Sequence, residues 1–473
     1  MAILNWSHER HVHRVRDSVR FWTRQLLAII LQCFWWEICI LLRSEKMRNA
    51  ASLIALTIVT TAVLVSSVNA ENWPNWRGPW NNGISTETNL PTSWNAKENV
   101  AWRTELPGPA GATPVVWDDS IFVTSVSGDD LILQCIGTDG KQKWRQTVSQ
   151  GNRNARGDEG NSAAPSPSTD GKHVWVMFGN GTLACFTVGG ERVWKIDLQE
   201  RYGKFKIAFG MTSTPVLAGD RLYLQLIHGE GNATTREAIV AAVDSRTGAA
   251  LWKHDRMSDA VAECEHSYAS PMLYDFGGKK FLLSHGADFV IAHDVDSGDE
   301  IWRCGNLNVK SKYDRTLRFV ASPACADGIV VVPSAKGGPC VALRPDGRGD
   351  VSDSAGNQFW THGKTPDVPS PLILDDLVYL CMQDGNLHCL DRKTGELYFR
   401  ERTHVQRHRA SPVYADGHIY LTARDGFISV VKVGKEFELV AQNELGESIA
   451  ASPVISNGTI YLRSFDALWA IRK

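Results

Sequence analysis

The chain has 473 residues, and its 50 Lys and Arg nearly balance 52 Asp and Glu, for a formal net charge of −2. No basic stripe runs along it, so nucleic-acid binding, which needs clustered cations, is not expected. A hydrophobic fraction of 43% with 17 Trp is ample for a large core.

Residues 1–46 are rich in His, Arg and Trp and carry an apolar run, LLAIILQCFWWEICILL (26–42), that contains Glu37. The next stretch, MRNAASLIALTIVTTAVLVSSVNA (47–70), has a positive start, an apolar middle and a small-residue end. It reads as a secretory signal peptide. The preferred reading is that translation begins at Met47 and that 1–46 is a mis-assigned extension. The alternative is a membrane anchor at 26–42, a run at the short limit for spanning. Either way the propeller is expected to be exported, periplasmic or envelope-associated; on the preferred reading the mature chain has no stable membrane span and is monomeric.

From Glu71 to Lys97 the chain is rich in Trp, Pro, Gly and Asn, and this segment is expected to be an irregular arm packed on the main domain by its aromatics. Domain 98–473 then repeats one phrase. A small residue and Pro open it, an apolar run follows, an Asp/Gly/Asn turn comes next, and alternating apolar residues close it, as in ASPVYADGHIYLTARDG (410–426). That is strand, tight turn, strand. Its Pro falls at 114, 167, 215, 271, 323, 371, 412 and 453, eight copies 41 to 56 residues apart. A second phrase interleaves, as in AAVDSRTGAALW (241–252), and Gly-x-x-x-Trp recurs through it. Four strands per repeat, eight times, predict an all-β, eight-bladed β-propeller with four-stranded antiparallel blades. The recurring Trp suits the wedge between neighbouring blades. The last copy lacks its outer strand, and ENVAWRTELP (98–107) is expected to supply it and close the ring, removing an exposed sheet edge.

Eight of the ten Cys follow Ala70. Cys135, Cys185 and Cys389 occupy one blade position, nine residues before Trp144, Trp194 and Tyr398, and read as small core hydrophobes. A bridge between Cys381 and Cys389 across one hairpin is the alternative. No vicinal Cys pair, Cys-x-x-Cys or Cys-x-x-Cys-His is present.

The repeat phrases resemble those of pyrroloquinoline-quinone (PQQ) enzymes, and equally those of the propeller lipoprotein of the outer-membrane β-barrel assembly machine. With the arm NWPNWRGPWNNGIS, the chain is most similar to PQQ-like propeller proteins of planctomycete-type bacteria. One branch of the resemblance implies PQQ with Ca²⁺ and an alcohol or polyol dehydrogenase at the central channel. The other implies a binding or scaffold module for a protein, peptide or glycan. The chain departs from both: it has no vicinal Cys pair, no haem motif, and Glu71 where a lipoprotein would carry its lipid-bearing Cys.

Segments leading into the innermost strand of each blade lie near a propeller's channel. They supply His266, Tyr268, Arg318, Asp367, Arg407, His408, Arg409 and Glu447 as candidate ligand- or cofactor-binding residues. Arg suits bidentate carboxylate contacts, including those of a tricarboxylate such as PQQ. Asp367 is the candidate catalytic base that the quinoprotein resemblance implies. No metal ligand set is assigned: His266, His362, His404 and His408 have no tight spacing, and no Ca²⁺ cage of six to eight oxygens is written in the chain. The binding or scaffold module is the preferred function, with the PQQ-dependent dehydrogenase as alternative.

Overall fold

The computed structural model describes residues 71–155, 159–229 and 238–473, so the expected extension (1–46) and signal peptide (47–70) lie outside the described residues. Its strands form eight sheets arranged as an eight-bladed propeller. Blade 1 runs outward through Val115–Trp117, Ser120–Ser127, Asp130–Gly137 and Gln142–Gln150. Blades 2 to 7 follow as 168–197, 216–255, 272–304, 324–362, 372–402 and 413–444. Blade 8 takes three strands from 454–471 and its outermost strand, Val100–Glu105, from the other end of the domain, paired antiparallel with Ala467–Ile471. The closure expected from the truncated last repeat is therefore present. One blade departs from four strands: in blade 4, Gly349–Asp350 adds a short parallel fifth strand beside Trp302 and Arg303.

The Gly-x-x-x-Trp signal explains how blades join. In six seams the outer-strand Trp donates its indole N–H to a carbonyl of the following blade: Trp102 to Thr138, Trp144 to Val188, Trp194 to Ser245, Trp252 to Val295, Trp302 to Pro345 and Trp360 to Arg392, all at 2.8–3.2 Å. The same indole covers the turn glycine of that blade. A Cβ at Gly140, Gly190, Gly248, Gly298 or Gly395 would lie 2.5–2.9 Å from it, and each of these glycines has φ between 71° and 91°. Gly is required twice over, for left-handed backbone and for close approach. The Gly and the Trp of one repeat thus serve opposite seams of its blade.

Blade 7 has no Trp in its outer strand, Leu439–Glu444. The arm supplies one. Trp94 is buried, stacks on Tyr420 with ring centroids 6.3 Å apart, and shares a core with Ile455 and Ile460 of blade 8. Tyr223–Trp252 and Tyr461–Trp102 are the corresponding pairs elsewhere, at 6.1 and 5.9 Å.

The eight described Cys residues are free, and all but the partly buried Cys325 are buried. The Cys381–Cys389 bridge is ruled out by register: Cys389 lies opposite Tyr379, and Cys381 opposite Leu387. Cys135 and Cys185 pair across the sheet with Trp144 and Trp194, whereas Cys389 meets Phe399 rather than Tyr398, because the connection after it is one residue longer, the bulge being common to all three.

Candidate binding cavity in the central channel

The residue before each repeat proline is a hydroxyl residue, and the eight form a closed ring. The backbone N–H of Thr113 donates to Ser166 Oγ, Ser166 to Thr214, Thr214 to Ser270, Ser270 to Ser322, Ser322 to Ser370, Ser370 to Ser411, Ser411 to Ser452, and Ser452 back to Thr113 Oγ1, at 2.9–3.2 Å. The reason is local. A pre-proline residue is held extended, the next residue has no N–H, and the innermost strand has no neighbour on its channel side. The buried pre-proline N–H needs an acceptor, and the following blade provides a hydroxyl.

Extended chain alternates its side chains, so a second ring of wall residues sits two positions earlier. It consists of Gly111, Ala164, Thr212, Tyr268, Val320, Val368, Arg409 and Ala450. Both rings line a cavity of about 230 Å³. Arg318, Arg424, Phe209 and Glu159 join the wall on the same side as this second ring.

The other end of the cavity meets the arm. Trp73 pairs with Val116 of blade 1, and the Pro74 carbonyl accepts from Thr169 N–H of blade 2 at 3.0 Å. Three residues later, Arg77 donates to the Pro371 carbonyl at the head of blade 6 at 2.9 Å. Blades 2 and 6 face each other across a ring of eight, so the arm spans the channel, and Trp76 between those anchors lines the cavity. Arg77 is buried there, and that burial pushes its pKa down to about 10.

At the mouth, Arg409 holds the Glu159 carboxylate through Nη2 (2.9 Å to each oxygen) and Nε (3.2 Å), and Arg407 reaches the same carboxylate at 2.8 Å. Arg409 Nη1 is buried with no hydrogen-bond partner among the described residues. The Arg318 guanidinium lies 4.7 Å over the Phe209 ring, with Glu263 at 3.6 Å, and Arg424 lies 4.0 Å over Phe465. Tyr268 accepts the Phe209 N–H at its phenol oxygen, and burial pushes its pKa well up. Glu159 is the one carboxylate in the described wall.

The candidates from the sequence thus separate. Tyr268, Arg318 and Arg409 form the wall, and Arg407 joins it through Glu159. Asp367 and His408 each directly precede a wall residue and, by alternation, are buried off the wall. Burial pushes the His408 pKa down to about 4. His266 bonds the Gly229 carbonyl at 3.2 Å, and burial lowers its pKa. Glu447 is tied to Ser464, Trp469 and Arg103 within blade 8; burial raises its pKa, but those three bonds outweigh it and hold it low. Sequence reading missed Glu159, Arg424, Phe209 and Trp76. The hydroxyl ring was legible as Ser or Thr before all eight prolines.

No group of three or more His, Cys, Asp or Glu side chains among the described residues is placed to share a metal ion. His362 bonds His388 at 3.0 Å and His404 bonds Asp425 at 2.8 Å, so the His residues do not converge.

The fold and the channel wall define a propeller of PQQ-type repeats. The family described as outer membrane protein assembly factor BamB matches residues 84–223, 138–348 and 347–436, and the chain belongs to that family. BamB of Yersinia pestis is 22% identical over 299 residues, 62% of this chain and 64% of the relative, so the chain spans less than two thirds of that relative's length. Among solved structures, BamB from Moraxella catarrhalis aligns with a TM-score of 0.56 at 14% identity, covering 78% of this chain and 100% of that one. Quinohemoprotein alcohol dehydrogenase from Comamonas testosteroni aligns at 0.61 and 13%, covering 84% and 80%. At these identities the structures establish the shared fold alone. No helix among the described residues is long and apolar enough to cross a membrane.

Proposed function

We propose that this protein is an exported binding module that takes an anionic group of a protein, peptide or glycan partner into the channel mouth. The observation that carries this reading is the cationic character of the described wall: Arg318, Arg409 and Arg424 line it, and among its described residues Glu159, engaged by Arg407 and Arg409, is the one carboxylate, with Glu263 beside Arg318. Such a wall favours anions over cations. Export is supported by the character of 47–70 and by the outer-membrane assembly name of the family.

The quinoprotein alternative rests on the fold of the dehydrogenase neighbour and on arginines suited to PQQ carboxylates. The residues fit only half of that cofactor pair. Ca²⁺ wants six to eight oxygens, carboxylates prominent among them, and the described wall offers Glu159 alone, already paired. Asp367 stands off the wall, so no proton transfer to a channel substrate is derived from it. Calorimetry of the protein with PQQ and Ca²⁺ tests the choice. The expected result is no saturable heat. Saturable binding with turnover of an alcohol would overturn the binding-module reading.

A further inference from the structure

We infer that the partner group is a glycan acid: a hexuronate unit whose carboxylate meets Arg409 and whose hydroxyls meet the hydroxyl ring. This inference rests on the binding-module reading above.

The first argument concerns main-chain recognition at the level of the ring. A peptide captured along a strand needs backbone N–H and C=O groups from its host. At the level of the ring every pre-proline N–H is spent on the next blade's hydroxyl, and the prolines have none. At the level of the ring the wall therefore offers side chains, while the strand edges at the other end are engaged by the arm's own main chain at Val116, Thr169 and Tyr414.

The second argument is the donor set itself. Each ring hydroxyl accepts one N–H, which fixes its oxygen, and donates to nothing among the described residues, so its O–H can turn to a ligand. A circle of groups that both donate and accept matches a polyol, whose hydroxyls do the same. Above the ring, Arg409 holds the Glu159 carboxylate in a bidentate fork through Nε and Nη2, a geometry that a ligand carboxylate displacing Glu159 would take over. Trp76 offers an indole to the C–H edges of a sugar ring. The volume, about 230 Å³, falls below the roughly 300–1,000 Å³ typical of drug-sized ligand pockets and suits a single sugar unit at a chain end.

Glu159 then acts as the resident competitor. Its carboxylate occupies the fork that a uronate would use, so removing its charge exposes Arg409 rather than damaging the site.

The test is calorimetry of the full-length protein with D-galacturonate and D-glucuronate, with D-galactose and acetate as controls. At least one uronate should saturate, with both controls at least about tenfold weaker. Arg409→Gln should weaken the uronate by about tenfold to a hundredfold, the usual weight of a charge-assisted contact. Glu159→Gln should tighten it several-fold. Thermal melts of both variants separate lost binding from lost folding, and Arg318→Gln gives a second reading of the cationic mouth. Acetate matching the uronate, galactose matching it, or Glu159→Gln weakening it would overturn the inference. A tri-glutamate peptide that binds with Arg409 dependence while both uronates give no heat would overturn the glycan assignment and leave the binding module standing. Alcohol turnover with PQQ and Ca²⁺ would overturn both.

Discussion

Two rings of residues, two positions apart on the same eight segments, have opposite characters. The ring next to the prolines is uniform: six Ser and two Thr, each bonded to its neighbour. The ring two residues earlier runs from Gly111 and Ala164 to Tyr268 and Arg409. A position that must satisfy the same buried N–H in every blade is constrained eight times over. A position facing only the cavity is constrained by whatever enters it. Uniformity marks the joint, and variety marks the surface that faces the cavity. The small residues Gly111, Ala164 and Ala450 sit on one arc, and Glu159 crosses from the loop after blade 1 to pair with Arg409 of blade 7.

The sharpest way to break this contrast is to remove one hydroxyl. Ser370→Ala deprives the buried Ser322 N–H of its acceptor, and the expected loss is about 1–3 kcal/mol in chemical denaturation. Ser370→Thr should be close to neutral, since Thr113 and Thr214 already serve at equivalent positions. A Ser370→Ala protein as stable as wild type would show that the ring is not a structural joint.

The buried residue just before the varied ring in this segment should affect stability and leave the cavity untouched. His408 has a folded-state pKa of about 4, lowered chiefly by burial, against about 6.5 unfolded. The unfolded chain therefore binds more protons between those values, and stability falls as pH drops from about 6.5 towards 4. By linkage this one group accounts for roughly 2 kcal/mol at pH 5. His408→Gln should flatten part of the decline between pH 7 and 5, read from denaturation midpoints, without changing uronate affinity. An unchanged pH slope would remove His408 from this role.

Within the varied ring, Tyr268→Phe is expected to cost least, about 1 kcal/mol or less. It removes an acceptor for the Phe209 N–H but keeps the ring against Phe209, whose face carries Arg318. A larger loss of uronate binding than of stability would place the phenol in direct ligand contact.

Most of the fold could be read before any coordinates. Eight Pro phrases fixed the blade count, and the unfinished last repeat with ENVAWRTELP at the other end fixed the closure. These are local signals repeated eight times, so each copy supports the others. The site was legible only where it follows the same period. Tyr268 and Arg409 could be picked out because they stand at a constant offset from a proline, whereas Asp367 and His408, one residue away, look equally suitable in a list of polar residues. Strand alternation separates them, and alternation has to be counted from the ring that the hydrogen bonds define.

The sequence by itself determined the repeat, the closed ring of blades, the Gly and Trp of the six seams that carry them and the hydroxyl before every proline, because each is a short-range demand of backbone geometry. Only the tertiary structure decided that Trp94 fills the seam blade 7 leaves without a Trp, that Trp76 comes to line the channel, and that Glu159 lies on Arg409 some 250 residues away. Those contacts join segments with no shared period, so packing brings them together and no local pattern announces them.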